Sequence, residues 1–282
     1  MSKISIVGLG PGEYSLISQG ALDALHSSCR IYLRTEKHPI VNKLKETIKY
    51  TSLDYFYDSE ENFEDVYYKI SKHIVELAKE GDLVYAVPGH PRVAEKTVGI
   101  IESMAKENNI EVDVLPGASA FVIALVGSGL NTHKFAFEGF LDRDKKVRRN
   151  QLEELKEERR TIIFYESPHR LKDTLKDMLK VLGNRRIAVN REITKKYQEI
   201  IREDIETVIN IFNEKEVKGE FVLIVEGFKG EKTVQNSYED LTEREYVITL
   251  MENGMDKKDA IKTVCKDRKL KKDVVYKQVL DL

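Results

Sequence analysis

Residues 3–12 of the chain read KISIVGLGPG. The first part of this stretch is a short apolar run, typical of a buried strand, and the second part is the loop Gly8-Leu9-Gly10-Pro11-Gly12. Glycines after a strand let the backbone turn sharply and approach a ligand closely. A strand, loop and helix in that order also place the loop at the carboxyl edge of an open α/β sheet, where ligands bind. The pattern alone is weak, because Pro11 breaks the dinucleotide-binding spacing and an ordinary tight turn explains it equally well.

Two further stretches repeat the arrangement. Residues 85–94 read YAVPGHPRVA and residues 114–120 read VLPGASA, and each passes from a strand through a Pro/Gly turn towards a helix. Three such loops at strand ends predict one crevice lined by small residues and free backbone groups, which suits an adenosine-sized ligand. None of the three carries a Lys-Ser/Thr pair for phosphate and magnesium, which disfavours a nucleoside triphosphate.

The remaining pattern predicts an α/β chain. Strands alternate with helices through both halves, which favours sheets covered on both faces. Helical spacing is clearest over residues 63–79, while residues 191–202 read only as a charged segment. We place an N-terminal α/β domain at 1–115, a second α/β domain at 116–228, a linker at 229–237 and a small helical module at 238–282.

Composition narrows the classes of protein. The chain has 282 residues, of which 41% are hydrophobic and 33% charged, with a net charge of −2. This is a globular composition without a general attraction to nucleic acid or membrane. No apolar run approaches the roughly 20 residues that span a bilayer, and the N-terminus lacks signal-peptide features. Because Cys29 and Cys265 lie far apart and outside metal-ligand spacing, we expect two free thiols, no metal site and a cytoplasmic protein. From the net charge and the lack of an apolar span, we expect no DNA or membrane partner.

The three loops together resemble those of the tetrapyrrole methylase superfamily, the class III methyltransferases that use S-adenosylmethionine. The resemblance implies two α/β domains with the cofactor in the cleft between them, and a homodimer. It also implies cofactor contacts from both halves of the chain, at Pro11, His90, Val93, Ser119, Ala120, Tyr165, Asn190 and Glu220. An aspartate often stands at the position of His90 in this superfamily.

From about residue 114 onwards the chain is similar to one branch of that superfamily, the small-subunit ribosomal RNA methyltransferases of the RsmI type. The segments FAFEGFL (135–141), TIIFYESPHR (161–170), REITKKYQE (191–199) and GEFVLIVEG (219–227) carry the similarity. It implies methylation of a cytidine ribose 2′-hydroxyl in 16S rRNA, with the rRNA or the 30S subunit as partner.

Methyl transfer to a hydroxyl requires in-line positioning and help with its proton or its developing charge. Glu166 follows one strand and Glu192 another, so either is a candidate base, and Arg170 or Arg191 is a candidate phosphate ligand. Lys195 completes the candidate catalytic set, and it shares a face with Glu199 only if that segment is helical. Structural salt bridges between loops explain the same residues, and His169 is as well explained by packing at a helix start.

Two basic segments favour an RNA partner. Residues 142–149 carry five bases and two acids, and residues 256–277 carry nine bases and four acids. Such patches supply sequence-independent affinity for nucleic acid, although solvated helix faces have the same composition. Tyr246 and Tyr276 in the last helices are candidates for RNA docking or for a dimer contact.

The first half departs from the RsmI pattern. Residues 1–113 resemble the methylase half of MazG-type fusion proteins, with Gly-Leu-Gly-Pro-Gly in the first loop and Leu33-Arg34-Thr35-Glu36 near the second segment. In the second half, Asp142 stands in place of a proline after Gly139-Phe140-Leu141. Two alternatives therefore stand beside the rRNA methyltransferase: a small-molecule, tetrapyrrole-like methylase, and a non-catalytic S-adenosylmethionine-binding protein or inactive chimera.

Overall fold

A computed structural model describes residues 2–58, 62–230, 241–252 and 254–280. Within these ranges the chain packs as two compact units, residues 1–229 and 230–282. Residues 231–237 of the predicted linker at 229–237 and small parts of the predicted module lie outside the described residues. The predicted boundary between residues 115 and 116 falls inside the first unit, between its two sheets, and stays a prediction.

The first sheet is wholly parallel. Its strands are β1 (Lys3–Gly8), β2 (Ile31–Leu33), β3 (Thr51–Ser52), β4 (Leu83–Val87) and β5 (Glu111–Leu115). Its helices are α1 (Gln19–Ser27), α2 (Val41–Leu44), α3 (Tyr55–Asp58), α4 (Phe63–Ala78) and α5 (Thr97–Glu107), and a 3-10 turn at Tyr14–Leu16 precedes α1. The strand order is β3-β2-β4-β1-β5, which puts β1 and β4 in the middle.

Both faces of this sheet are covered by apolar side chains. Ile6 and Tyr85 pack with α4 and α5 on one face, whereas Val7 and Ala86 pack with α1 and α2 on the other. Alternate residues of β1 and β4 thus enter different cores, which explains why these strands read as continuous apolar runs. The predicted helix at 63–79 is confirmed, and it begins at Asn62, whose side-chain oxygen accepts the backbone N–H of Glu64.

The second sheet is mixed. Its elements are α6 (Ala120–Gly127), β6 (Phe135–Phe140), α7 (Lys145–Glu154), β7 (Thr161–Glu166), α8 (Leu171–Leu182), β8 (Arg186–Arg191), β9 (Glu199–Asp204), α9 (Ile205–Glu214) and β10 (Phe221–Val225). The order is β6-β7-β10-β8-β9, in which only β6 and β7 pair in parallel among the described strands. The α/β fold class is confirmed.

The charged segment at residues 191–202 was assigned no element from the sequence. Its last part belongs to the edge strand β9, which covers Glu199–Asp204. Its pairing with β8 is antiparallel, so the two strands are joined by a short turn that holds Lys195. Lys195 and Glu199 therefore do not share a helical face. An edge strand needs one buried face only, which leaves its charged residues on the other side and hides it from a search for apolar runs.

The second unit contains α10 (Glu243–Glu252), α11 (Lys257–Asp267) and α12 (Lys272–Gln278). These helices enclose a small apolar core that includes Tyr246, Val247, Ala260 and Val264. The Asp256 side chain caps α11 by accepting the backbone N–H groups of residues 258 and 259. No described helix of either unit is long and apolar enough to cross a bilayer.

Candidate functional site: the glycine junction and the turn facing it

The three glycine-containing loops meet in direct backbone contact. Gly10 and Gly89 exchange two hydrogen bonds, with N···O distances of 3.0 and 2.8 Å. A methyl group placed on Gly8 would lie 2.6 Å from the carbonyl oxygen of Gly89 and 2.7 Å from the amide nitrogen of Gly117. Only glycine permits this approach, so the loops after β1, β4 and β5 form one rigid junction at the carboxyl edge of the first sheet. We refer to Gly8, Gly10, Gly89 and Gly117 as the glycine junction.

The first loop runs from this junction towards the second sheet. Pro11 is buried, and Gly12 has a φ of +137°. A methyl group on Gly12 would lie 3.2 Å from Cγ of Lys195 and 3.6 Å from Oγ1 of Thr194, both in the turn after β8. The first loop and that turn therefore line the same crevice, although the residues are about 180 positions apart.

The second loop carries His90 and Val93, both half-buried. Nδ1 of His90 accepts the backbone N–H of Arg92 at 3.1 Å, which fixes the ring locally. The next residue along, Ala94, has a left-handed φ of 56°, a conformation that non-glycine residues seldom adopt. The buried carboxylate of Glu95 holds this segment in place through an ion pair of 3.1 Å with Nε of Arg34, from the loop after β2.

The third loop carries Ser119 and Ala120 at the start of α6. Ser119 is the N-cap residue, but its hydroxyl makes no capping hydrogen bond. Both residues are half-buried, and Ser18 Oγ donates to the carbonyl oxygen of Pro116 at 3.0 Å, which anchors the loop to α1. The Ser119 hydroxyl is thus not engaged by its own helix.

The turn after β8 is a compact charged cluster. Nζ of Lys195 lies 3.2 Å from Oε1 of Glu192 and 2.8 Å from Oε2 of Glu220. The same Oε1 of Glu192 accepts the backbone N–H of Glu220 at 2.8 Å, and Gly219 leaves room for the Glu192 side chain. Burial opposes the charge on Lys195, but the hydrogen bond and charge of Glu220, with the charge of Glu192, outweigh it and raise the pKa of Lys195. Lys195 is therefore an ammonium group at neutral pH.

Two backbone outliers shape this turn. Glu192 and Thr194 have φ values of 48° and 65°, and the second is a β-branched residue for which a left-handed conformation is strained. The amide of Thr194 donates to Oε1 of Gln198 at 2.6 Å, which holds the strained residue in place. The Oγ1 atom of Thr194 is buried and has no hydrogen-bond partner.

Glu166 and Arg170 form a different kind of pair. Glu166 is 2% exposed and its carboxylate accepts from Arg170 Nε at 2.9 Å, from the Ser167 amide at 2.8 Å and from the Thr174 hydroxyl at 2.6 Å. Arg170 also donates to the carbonyl oxygen of Leu141 at 2.7 Å. These bonds join β7, α8 and the end of β6, so they favour the structural alternative for both residues over direct chemistry.

The other candidate residues lie at the ends of the second-sheet strands. Nε of Arg191 donates to the carbonyl oxygen of Lys218 at 2.7 Å. Burial raises the pKa of Tyr165 to about 12, so this hydroxyl stays protonated. Asn190 is fully buried, and its side-chain oxygen Oδ1 has no partner. His169 is exposed in the turn before α8, so it does not pack at the helix start.

Sequence reasoning missed His38. This residue lies in the loop between β2 and α2, is 9% exposed, and hydrogen-bonds the backbone of Gly10 in the glycine junction. Its Nδ1 atom is buried without a partner. Lys195 and Glu220 face it from the second sheet, and Arg34 faces it from its own loop. The sequence signal was only a histidine before a proline, which by itself indicates nothing.

The basic segments are smaller than their composition indicates. Arg148 is 5% exposed and is paired with the buried carboxylate of Asp177 at 2.7 Å, and Arg149 pairs with the same carboxylate at 2.7 Å. Arg148 is therefore a core residue. Tyr246 is also buried, with its hydroxyl bonded to Asp267 at 2.7 Å, whereas Tyr276 is 48% exposed.

Comparison with known proteins identifies the family to which this chain belongs. The family model for Tetrapyrrole (Corrin/Porphyrin) Methylases matches residues 3–209. A uroporphyrin-III C-methyltransferase from Thermus thermophilus, solved in complex with S-adenosyl homocysteine, has the same fold, with a TM-score of 0.59 at 16% identity over 80% of this chain and 97% of that one. The chain belongs to the tetrapyrrole methylase family of methyltransferases.

Relatives narrow the comparison within the family. A protein of Halalkalibacterium halodurans named ribosomal RNA small subunit methyltransferase I is 43% identical over 211 residues, which are 73% of this chain and 72% of that protein. A protein of the same name from Thermotoga maritima is 37% identical over 229 residues, which are 80% of this chain and 99% of that protein. About a fifth of this chain therefore has no counterpart in the second relative.

Proposed function

We propose that the chain transfers a methyl group from S-adenosylmethionine to a cytidine ribose 2′-hydroxyl of small-subunit rRNA in the cytoplasm. The observation that carries the proposal is the 43% identity to a protein named ribosomal RNA small subunit methyltransferase I, over 73% of the chain. The resemblance of the segments from residue 114 onwards supports the choice of a ribose hydroxyl.

The residues at the crevice fit S-adenosylmethionine. The glycine junction lies at the carboxyl edge of the first sheet, the Ser119 hydroxyl is not engaged by its helix, and Asn190 offers a buried acceptor without a partner. A buried polar atom without a partner is costly, so it favours a ligand with complementary groups. The residues that would hold the cofactor are Pro11, His90, Val93, Ser119, Ala120, Tyr165, Asn190 and Glu220. When bound, the cofactor supplies an electrophilic methyl group on a sulfonium.

Lys195 is suited to orient the attacking oxygen. Its ammonium group is held at the crevice by Glu192 and Glu220, and its stem borders Gly12 in the first loop. An N–H of this ammonium can donate a hydrogen bond to one lone pair of the hydroxyl oxygen and so hold another lone pair on the axis of the sulfonium methyl group. Glu192 and Glu220 position this ammonium. Arg191 stands beside the same turn as a candidate ligand of an RNA phosphate, and Glu166 with Arg170 buttresses the strand that carries Tyr165.

Exposed basic residues would hold the RNA. In the second unit the exposed lysines are Lys258, Lys262, Lys266, Lys269, Lys271, Lys272 and Lys277, with Tyr276 among them. In the first unit Arg143, Lys145 and Lys146 are exposed at the start of α7. Phosphate contacts by such residues give affinity that falls steeply with salt. The enzyme is expected to act as a homodimer, and exposed apolar residues on α6, Val122 and Val126, are consistent with a covered surface.

The proposal is tested by methyl transfer from radiolabelled S-adenosylmethionine to 30S subunits that lack the modification. We expect incorporation into 16S rRNA, with a 2′-O-methylcytidine in the nuclease digest. The matched variant is Lys195→Met, which keeps the length of the stem and removes the charge; it should bind the cofactor but lose activity by about 100-fold or more.

A folded protein that binds the cofactor and labels no RNA would contradict the proposal. Labelling of uroporphyrinogen or a precorrin in parallel reactions would instead support the small-molecule alternative. Binding without turnover on either substrate would support the non-catalytic alternative.

A further inference from the structure

A buried acceptor near the glycine junction has no donor among the described residues. The Nδ1 atom of His38 has no hydrogen-bond partner, although the residue is only 9% exposed, and its ring lies beside the backbone of Gly10. A neutral imidazole can carry its proton on Nε2. Nδ1 then carries a free lone pair.

A second unpartnered group lies beside the first loop. Oγ1 of Thr194 is buried without a partner, and a methyl group on Gly12 would lie 3.6 Å both from this atom and from Cγ of Pro39, the neighbour of His38. Thr194 is held there by a strained left-handed backbone. An acceptor nitrogen and a hydroxyl near the same glycine, with Lys195 beside them, are complementary to a small group that both donates and accepts. A ribose hydroxyl is such a group.

The carboxylates in the same region are already engaged. Glu166 accepts from Arg170, Ser167 and Thr174, and Glu192 accepts from Lys195 and the Glu220 amide. A proton on Glu166 would displace one of its donors, and a proton on Glu192 would remove the negative charge that pairs with Lys195. His38 differs because its lone pair has no competing partner among the described residues.

We propose that Nδ1 of His38 accepts the proton of the attacking hydroxyl, while Thr194 positions the oxygen of that hydroxyl. The inference rests on the proposed function, since it names the proton acceptor for a hydroxyl substrate. The oxygen forms a bond to the methyl carbon and the carbon–sulfur bond breaks, so the sulfur keeps the electron pair of that bond. The proton leaves the oxygen for Nδ1 and passes from there to water.

The electrostatics suit a late proton transfer. Burial is the largest effect on His38 and outweighs the opposing backbone interaction with Gly10 and the charge of Glu220. Together with the smaller effects of the Lys195 and Arg34 charges, it lowers the pKa of His38 to about 4. The imidazole is thus neutral and ready to accept a proton at neutral pH. A weak base suffices, because a protonated ether is a far stronger acid than an imidazolium, and the hydroxyl becomes acidic as its oxygen bonds to carbon.

The test uses a matched pair of variants in the full chain. His38→Gln keeps an N–H donor at the position that reaches Gly10 but removes the acceptor at Nδ1. His38→Asn keeps an acceptor near the Nδ1 position but loses the donor. With the cofactor saturating, single-turnover methyl transfer to 30S subunits should fall by about 100-fold or more in His38→Gln, while the calorimetric Kd for S-adenosylmethionine stays within about twofold. His38→Asn, which can hold the hydroxyl but not its proton, should fall at least about tenfold.

The outcomes separate the inference from the proposed function. Wild-type activity together with an equally active His38→Gln overturns the inference alone. Absence of transfer by the wild-type protein to any RNA overturns the proposed function, and the inference with it. Nitrogen-15 NMR adds a readout that does not depend on turnover: at pH 6 the His38 ring should be the neutral tautomer with its proton on Nε2, and a protonated Nδ1 refutes the inference. If His38→Gln fails to fold, His38→Asn and the NMR measurement still decide.

Discussion

The substitution Gly8→Ala tests whether the glycine junction is what builds the crevice. The added methyl group would lie 2.6 Å from the carbonyl oxygen of Gly89, 2.7 Å from the amide nitrogen of Gly117 and 2.7 Å from Cδ of Pro91. Real Cβ atoms essentially never approach closer than 3.0 Å, so two neighbouring loops must each retreat by roughly 0.3–0.4 Å. Neither can do so by rotating a side chain, because most of the opposing atoms belong to the backbone.

Overpacking of this kind costs about 1–3 kcal/mol of folding free energy. The retreat also moves the loops that carry His90, Val93 and Ser119, so we expect the affinity for S-adenosylmethionine to fall by at least about tenfold, or roughly 1.4 kcal/mol. Urea unfolding measures the first quantity and calorimetric titration at a temperature where the variant is folded measures the second.

Two controls separate the local effect from general destabilisation. A methyl group on Gly227 would clash with the backbone carbonyl groups of Arg159 and Arg160, before β7 begins and so at the opposite end of that strand from Tyr165. Gly227→Ala should therefore cost at least about 1–3 kcal/mol without changing the cofactor Kd. A methyl group on Gly99, in α5, meets no atom within 4 Å, so Gly99→Ala should stabilise the fold by about 0.5–1 kcal/mol. A Gly8→Ala variant with unchanged stability and cofactor affinity would refute the junction as the basis of the site.

Three further predictions follow from buried or exposed charges. The pKa of His38 is about 4 in the folded chain and about 6.5 in the unfolded chain, so the unfolded state binds more protons between these pH values. The free energy of unfolding should therefore fall by roughly 2–3 kcal/mol from pH 7 to 4.5. In urea unfolding, His38→Gln should abolish this pH dependence. Thr174→Val removes a 2.6 Å hydrogen bond to the buried Glu166 carboxylate and should lower the free energy of unfolding by about 2 kcal/mol. Thr174→Ser keeps the hydroxyl and should lower it by less than about 1 kcal/mol in the same assay. Equal losses of stability in the two variants would contradict a role for the hydroxyl. Replacing Lys266 and Lys269 with Ala should weaken 30S binding at about 50 mM salt in a filter-binding assay. The slope of log affinity against log salt concentration should fall in magnitude by about one for each RNA phosphate that these lysines neutralise. An unchanged slope would show that these lysines do not contact the RNA.

The cofactor side of the crevice was largely predictable from the sequence. Glycines directly after apolar strands mark positions where the backbone must turn without a Cβ, and parallel strands bring such loops to one edge. The close approach of Gly8 to Gly89 and Gly117 shows that the three loops do converge. The roles of Pro11 and His90 in holding the cofactor remain predictions that rest on the family resemblance.

The residues that face the three glycine-containing loops were not predictable in the same way. Thr194 depends on a left-handed φ of 65°, and β9 is an edge strand whose charged residues conceal its pairing. His38 owes its environment to Gly10, Lys195 and Glu220, which approach it from two other parts of the chain. Nothing in the local sequence specifies these neighbours, since they follow from how the two sheets of the first unit bring their loops together.

Glu166 and His38 show why residue type alone misidentifies a proton acceptor. Both are buried, and sequence reasoning missed His38 while it offered Glu192 or Glu166 as the base. The Glu166 carboxylate, however, is saturated by an arginine, an amide and a hydroxyl, and a base must have a lone pair to spare. The His38 ring is a weak base, because burial lowers its pKa to about 4, but its Nδ1 is unoccupied. For a nucleophile whose acidity rises during the reaction, availability of the lone pair matters more than its pKa, and that is a property of the folded chain.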